Sequence, residues 1–191
     1  MQIEKREDFP KLLDELRLNG YAAEIGVARG DFSAKILQSS VKKLYSIDCW
    51  DVETPSSWKE QARSKWTQEK MDALYEEAQD KLRPFGERSE IIKAFSADAV
   101  NRFKDGYFDF IYLDASHEYV DVKEDISLWW SKVKRGGILA GHDYFAREDE
   151  PDKWGVIEAV DEHVLMHNLQ LHLTQDRFKS WYVFKRRLVY A

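Results

Sequence analysis

Four side chains able to move a proton or hold a metal stand at the ends of two short apolar runs. One run closes in "YLDASHEY" and carries Asp114 and His117; the other closes in "LAGHDY" and carries His142 and Asp143. Grouped on one rim, these residues suit two kinds of chemistry. A neutral histidine, whose ordinary pKa is near neutrality, can take a proton directly from a hydroxyl, and either His117 or His142 fills that role. Alternatively, a divalent ion held among such acids and imidazoles would bind the hydroxyl and lower its pKa. Magnesium prefers near-octahedral oxygen ligands and imidazole suits manganese, iron or zinc, so an imidazole in the set leaves the choice of metal open. Outside catalysis, Asp114, Ser116 and Asp143 are also of the types that cap helices and brace loops.

A second group lies in "YAAEIGVARGDFSAKIL", residues 21 to 37, which reads as a strand, a glycine-containing turn and a helix. Gly26 permits a close backbone approach or a positive φ, and Gly30 lets the helix start pack tightly; Ala28 stands where a nucleotide-binding loop often has a third glycine. Glu24 is an acid inside an apolar strand, where a carboxylate needs donors or a cation. Asp48 ends the second apolar run, 22 residues after Gly26, where a carboxylate can accept the hydroxyls of a ribose. Together they describe a nucleoside site.

The elements that must position these residues follow from periodicity. Strand-sized runs recur at "YAAEIG", "KLYSID", "EIIKAF", "FDFIYLD" and "GILAG", with helical patterns between them. In "DFPKLLDELRLNG" Asp8 can cap a helix whose Leu12, Leu13 and Leu16 share one face, with Gly20 placed to end it. The clearest helix is "VDVKEDISLWWSKV", with Val122, Ile126, Trp129, Trp130 and Val133 at helical spacing, and Gly136 and Gly137 mark the turn after it. Trp154, Ile157, Val160 and Val164 share one side of a later helix. Beyond it, "LQLHLT" and "WYVFKRR" alternate like the strands of a hairpin, so the last strand runs antiparallel to its neighbour. Alternating strands and helices predict an α/β fold, a Rossmann-like, mainly parallel seven-stranded sheet with helices on both faces and a C-terminal antiparallel hairpin. Ligands of such sheets sit at the carboxyl ends of the strands, where the strand order reverses. Residues 51–88 form a helical insertion between strands 2 and 3, either a surface addition packed by Trp58, Trp66, Met71 and Tyr75 or a lid over the site. Trp50, Trp58 and Trp66 are candidates for contact with a substrate as well as for packing.

The chain has 191 residues, 43% hydrophobic and 34% charged, values expected of one globular domain spanning 1–191. No apolar run approaches a membrane span and the N-terminus does not resemble a secretory signal, so the expected place is the cytoplasm. Cys49 is the one cysteine, which rules out an intrachain disulfide. A net charge of -6 argues against nucleic acid as a partner. His163, His167 and His172 lack the clustering of the rim residues and read as surface or core. The N-terminal helix and the Trp-rich insertion each offer a surface for a homo-oligomer.

The acid, glycine turn and second acid resemble the class I S-adenosylmethionine-dependent methyltransferases over roughly residues 20 to 187. Within them the rim resembles the small-molecule O-methyltransferases of the macrocin and catechol type. The resemblance implies S-adenosyl-L-methionine as methyl donor and a small hydroxylated acceptor such as a sugar or secondary metabolite. It implies that Gly26, Val27, Ala28 and Gly30 form the cofactor loop, that Glu24 suits its cationic part, and that Asp48 holds the ribose. It further implies that Ser96, Ala97 and Asp98 meet the adenine, and that Asp114 lies beside the cofactor and, with Asp143, at a metal position where His142 replaces the usual oxygen ligand. Asp98 also suits a helix cap. Two rivals remain: an NAD-dependent oxidoreductase using the same loop and Asp48, and a member that binds a cofactor or protein partner without turnover.

Overall fold

The computed structural model describes residues 3–52, 67–146 and 154–186. Its sheet consists of β1 Tyr21–Ile25, β2 Lys43–Asp48, β3 Ser89–Lys93, β4 Phe108–Leu113, β5 Val133–Gly141, β6 His172–Leu173 and β7 Trp181–Phe184, in the spatial order β3-β2-β1-β4-β5-β7-β6. The first five strands pair in parallel, and β7 lies between β5 and β6, antiparallel to both. Helices α1 Phe9–Glu15, α2 Asp31–Ile36, α3 Gln68–Leu82, α4 Ser96–Ala99, α5 Tyr119–Trp130 and α6 Val156–Met166 accompany it. The order reverses between β1 and β4, so the rim at Ile25 and Leu113 is where a crevice opens.

The strands are apolar on both faces because both faces are covered. Ala22, Leu44, Phe110, Tyr112 and Ile138 pack with Leu12, Leu13 and Phe32 of α1 and α2. Ala23, Ile47, Ile111 and Leu139 pack with Ile126 and Trp129 of α5 and Val160 of α6. Phe9 fastens α1, its ring 5.4 Å from Phe110 and 5.6 Å from Tyr112 and Tyr182.

The turn expected at Gly136 and Gly137 is instead a bulge inside β5. Val133 starts that strand and does not extend the helix, and the register against β4 slips between Phe108 and Phe110. The reason is steric: Gly136 has φ +84°, and a Cβ on Gly137 would lie 2.8 Å from the Asp109 carbonyl oxygen. Asp8 precedes α1 without capping it through its side chain; its carboxylate instead reaches back over the 3-10 turn Arg6–Asp8 and accepts from the amides of Glu4 (3.2 Å) and Lys5 (3.1 Å). Much of the 51–88 insertion, with Trp58 and Trp66, lies outside the described residues; its described part, α3, sits against Gly30, where a Cβ would come 3.3 Å from Ala78 Cα.

The turn Arg6–Asp8 ties the N-terminus to the centre of the sheet. It is held by the Gln175 amide donating to the Glu4 carbonyl at 2.7 Å, and it sends the Arg6 guanidinium over the rings of Phe32 and Tyr112, 4.1 and 4.9 Å from their centroids. There Arg6 Nη2 meets Asp114 Oδ2 at 2.8 Å and Glu24 Oε1 at 3.5 Å. Glu24, only 1% exposed, also accepts from the Ser33 hydroxyl, which contacts Ser46 Oγ at 2.7 Å. Burial outweighs both Arg6 and Ser33 and pushes the Glu24 carboxyl up to about 8. Burial raises Asp114 as well, although Arg6 opposes it. One guanidinium thus serves two acids, and burial outweighs it at both.

A raised carboxyl means that the folded chain holds a proton the unfolded chain releases, so this contribution to stability falls as pH rises from about 5 through 8. Glu24→Gln should match the parent within about 1 kcal/mol at pH 5 and become the more stable of the two by pH 8.5, as read by urea unfolding at both values. Arg6→Ala, which strands Asp114 without its cation, should cost roughly 3 kcal/mol in the same assay.

Candidate active site

Beyond the β1 and β4 ends lies a cleft of about 340 Å³. Gly26, Ala28, Asp48, Ser96, Ala97 and Asp114 of the expected set line it. The loop between β1 and α2 alternates left-handed residues, with φ +85° at Gly26, +49° at Ala28 and +78° at Gly30. Ala28 accepts this conformation at some cost for a residue with a Cβ. The Asp48 carboxylate helps to fix it: Oδ2 accepts from the amides of Val27 (2.8 Å) and Ala28 (2.9 Å), and Oδ1 from that of Trp50 (3.0 Å). Of its roughly four lone-pair sites about one is left for a hydroxyl. Trp50 closes the wall, its indole N–H on the Ala28 carbonyl at 2.8 Å and its ring 4.8 Å from Tyr75. Cys49 borders the cleft, its thiol pushed up to about 11 by burial.

Four expected residues stand off the cleft wall. Val27 and Gly30 shape the loop from behind, against Trp50 and Ala78. Glu24 is turned to Arg6 and Ser33 beneath the loop, because a carboxylate buried in a strand must find its partners within the protein. Asp98 is exposed in the first turn of α4. The acid near Ser96 is Asp125 of α5, which accepts from the Ser96 hydroxyl while the Trp129 indole N–H donates to that same hydroxyl at 2.8 Å. Burial pushes the Asp125 carboxyl up to about 7, against the Ser96 hydrogen bond and with help from Asp121 and Glu124. The hint in the sequence was an acid at 125 beside the buried stripe of Val122 and Ile126.

At the other end the four rim residues do converge. His117 Nε2 lies 2.7 Å and His142 Nδ1 3.2 Å from opposite oxygens of Asp143, and His142 Nδ1 lies 3.7 Å from Asp114 Oδ1. Burial alone would raise Asp143, yet the two imidazoles beside it prevail and hold its carboxyl well below the usual range. His117 is clamped: its ring stacks on Trp154 at 4.2 Å and 5°, and its carbonyl accepts from the Gly155 amide at 2.8 Å. Trp154, expected on the face of the later helix, instead precedes α6 and serves as this plate. His117 Nε2 is buried, and its approach to Asp143 is too oblique for an aligned hydrogen bond.

Asp114, His117 and Asp143 offer ligand atoms all within 4.8 Å of one another. His117 thus joins the two acids as a candidate ligand that the sequence pattern did not include, while His142 Nδ1 also faces both of them. The clamp by Trp154 and Gly155 brings His117 back over the rim. An adjoining pocket of about 20 Å³, bordered by Asp114, His117 and His142, has room for one water or ion. His163 packs on Trp130 away from the cleft, its imidazole pushed down to about 4 by burial and by His167.

The fold recurs in solved structures. Cofactor-bound Rv0187 from MTB is 15% identical, with 96% of this chain and 80% of that one covered and a TM-score of 0.64. An O-methyltransferase from Bacillus cereus in complex with SAH is 12% identical, with 94% and 80% covered and a TM-score of 0.63. TomG from Streptomyces achromogenes, an O-methyltransferase involved in tomaymycin synthesis and solved with SAM, is 14% identical, with 95% and 80% covered and a TM-score of 0.64. At such identities the likeness is one of fold. No curated protein sequence matches. A family described as "Methyltransferase domain" matches residues 23–144, from β1 through the Asp143 rim and over more than half of the chain. The chain belongs to that methyltransferase family.

Proposed function

We propose that the cleft holds S-adenosylmethionine with its nucleoside between Asp48 and Ser96 and its sulfur end beside Gly26 and Asp114, and that the methyl group passes to a hydroxyl of a small molecule. The observation that carries this reading is the continuity of one cleft, from Asp48 and Ser96 to Asp114 at the edge of a histidine–aspartate cluster. The bound donor supplies a methyl on a positively charged sulfur, a leaving group that needs no protonation. The chain's own work is to align the acceptor oxygen with that methyl, exclude water and remove the hydroxyl proton. Each imidazole turns one ring nitrogen to Asp143. Asp143, held ionised, orients both rings and favours the imidazolium that forms when either His117 or His142 takes the proton. Ala28, Trp50 and Leu74 give the cleft an apolar lining suited to a ring rather than to a charged polymer. Among the described residues no helix is long and apolar enough to cross a membrane.

The grouping of Asp114, His117 and Asp143 favours a second reading, in which a divalent ion assists. The donors fit it in kind, because His117 Nε2 is buried without an aligned partner and the mixed nitrogen and oxygen set suits manganese better than magnesium. Such an ion would polarise the acceptor hydroxyl, and His142 would then stand as the base.

Calorimetry should find binding of S-adenosylhomocysteine, weakened at least about tenfold by Asp48→Ala; heat with NAD and none with S-adenosylhomocysteine would overturn the proposal. Asp143→Asn should lower the methylation rate by roughly 10²- to 10⁴-fold while leaving that affinity within about threefold, because Asp143 acts on the proton and not on the nucleoside. Turnover surviving dialysis against EDTA would favour direct histidine chemistry; loss restored by manganese would favour the ion.

A further inference from the structure

Arg6 occupies a position that neither the family match nor the sequence pattern assigns. Its guanidinium lies against Asp114, the acid that borders both the cofactor cleft and the small rim pocket. From these contacts we infer that Arg6 is a built-in cation of the active site: it competes with a divalent ion for Asp114 and keeps the intrinsic metal affinity of the chain low. The inference rests on the reading of the rim as a methyl-transfer site, and it decides between the two proton routes of that reading.

Three observations carry it. Arg6 Nη2 is 2.8 Å from Asp114 Oδ2, an ion pair that occupies one of the carboxylate's two oxygens. The guanidinium is not a loose surface group: it is stacked over Phe32 and Tyr112, its side chain is 20% exposed, and its Nε is buried without a partner. The turn that carries it is itself anchored, since the Gln175 and Asp176 amides donate to the Glu4 carbonyl at 2.7 and 3.2 Å and the Arg6 amide donates to Asp176 Oδ2 at 3.3 Å. A cation so placed cannot swing away cheaply. A divalent ion on Asp114, His117 and Asp143 would share Asp114 with a fixed positive charge a few ångströms away, in a site where screening by water is weak. Two rim carboxylates, Asp114 and Asp143, already face one guanidinium and two imidazoles. A rim supplied with its own cation leaves a histidine to take the proton, and the metal becomes dispensable.

The test is titration of the full-length protein with manganese chloride, by calorimetry and by the paramagnetic resonance of the free ion, without substrate. Arg6→Met removes the charge while keeping a stem to cover Phe32 and Tyr112; Arg6→Lys keeps the charge. Arg6→Met should bind manganese at least about tenfold more tightly than the parent, and Arg6→Lys should stay within about threefold of it. If Arg6→Met does not fold, as judged by circular dichroism, Arg6→Gln takes its place, since it retains N–H donors for Asp114 without the charge. A gain below tenfold in the uncharged variant, or an equal gain in Arg6→Lys, overturns the inference. Binding of S-adenosylhomocysteine by the same samples is measured alongside. Its absence in the parent would sink the methyl-transfer reading, whereas unchanged manganese affinity with intact S-adenosylhomocysteine binding would sink only the role of Arg6.

Discussion

The rim of this sheet depends on how closely the ends of β1 and β4 approach each other. A side chain on Gly26 would lie 2.1 Å from the carbonyl oxygen of Asp114 and 2.7 Å from Ala115 Cα, so the turn after β1 passes against the chain leaving β4 with no room between them. The ladder continues into that contact, with the Asp114 amide on the Ile25 carbonyl at 2.7 Å and the Gly26 amide on the Ile47 carbonyl at 2.9 Å. Because three strand ends are locked together there, the acids that follow them must share one small volume. Gly26 is therefore required by the protein's own backbone before any ligand is considered.

That crowding creates an electrostatic problem, and the chain answers it locally at each acid. Asp48 is satisfied by three loop amides, which makes it a structural brace of the turn after β1. Glu24 and Asp114 share Arg6, Asp143 is flanked by two imidazoles, and Asp125 has the Ser96 hydroxyl. The carboxyls with fewer partners than burial demands, Glu24 and Asp125, are the ones pushed up toward neutrality, while Asp143 with two imidazoles is pushed down. Differences in protonation across a few ångströms are what acid–base chemistry on a rim requires.

Most of the frame was readable before any coordinates. The five parallel runs, the terminal antiparallel strands, Gly26 and Gly30, the acid at the end of β2 and the rim quartet all follow from residue type and period, because strands and helices impose short-range repeats. Readings that failed were of another kind. Gly136 and Gly137 look like a turn until the Asp109 carbonyl is seen to pass beside them, and Trp154 fits a helical stripe until His117 is found stacked on it. Asp125, which no local pattern singled out, comes to the cleft beside Ser96 from a different helix.

By itself, then, the sequence determined the order of elements, the strand ends that must meet, and the residue types available there, since hydrophobic period and turn chemistry act over a few residues. The partners those residues took came from packing between distant segments: Arg6 on Asp114, both His117 and His142 on Asp143, and Glu24 facing inward. The physical reason is that charge pairing and burial depend on distances between segments far apart in the chain. No local pattern encodes that an arginine at position 6 will reach the end of β4.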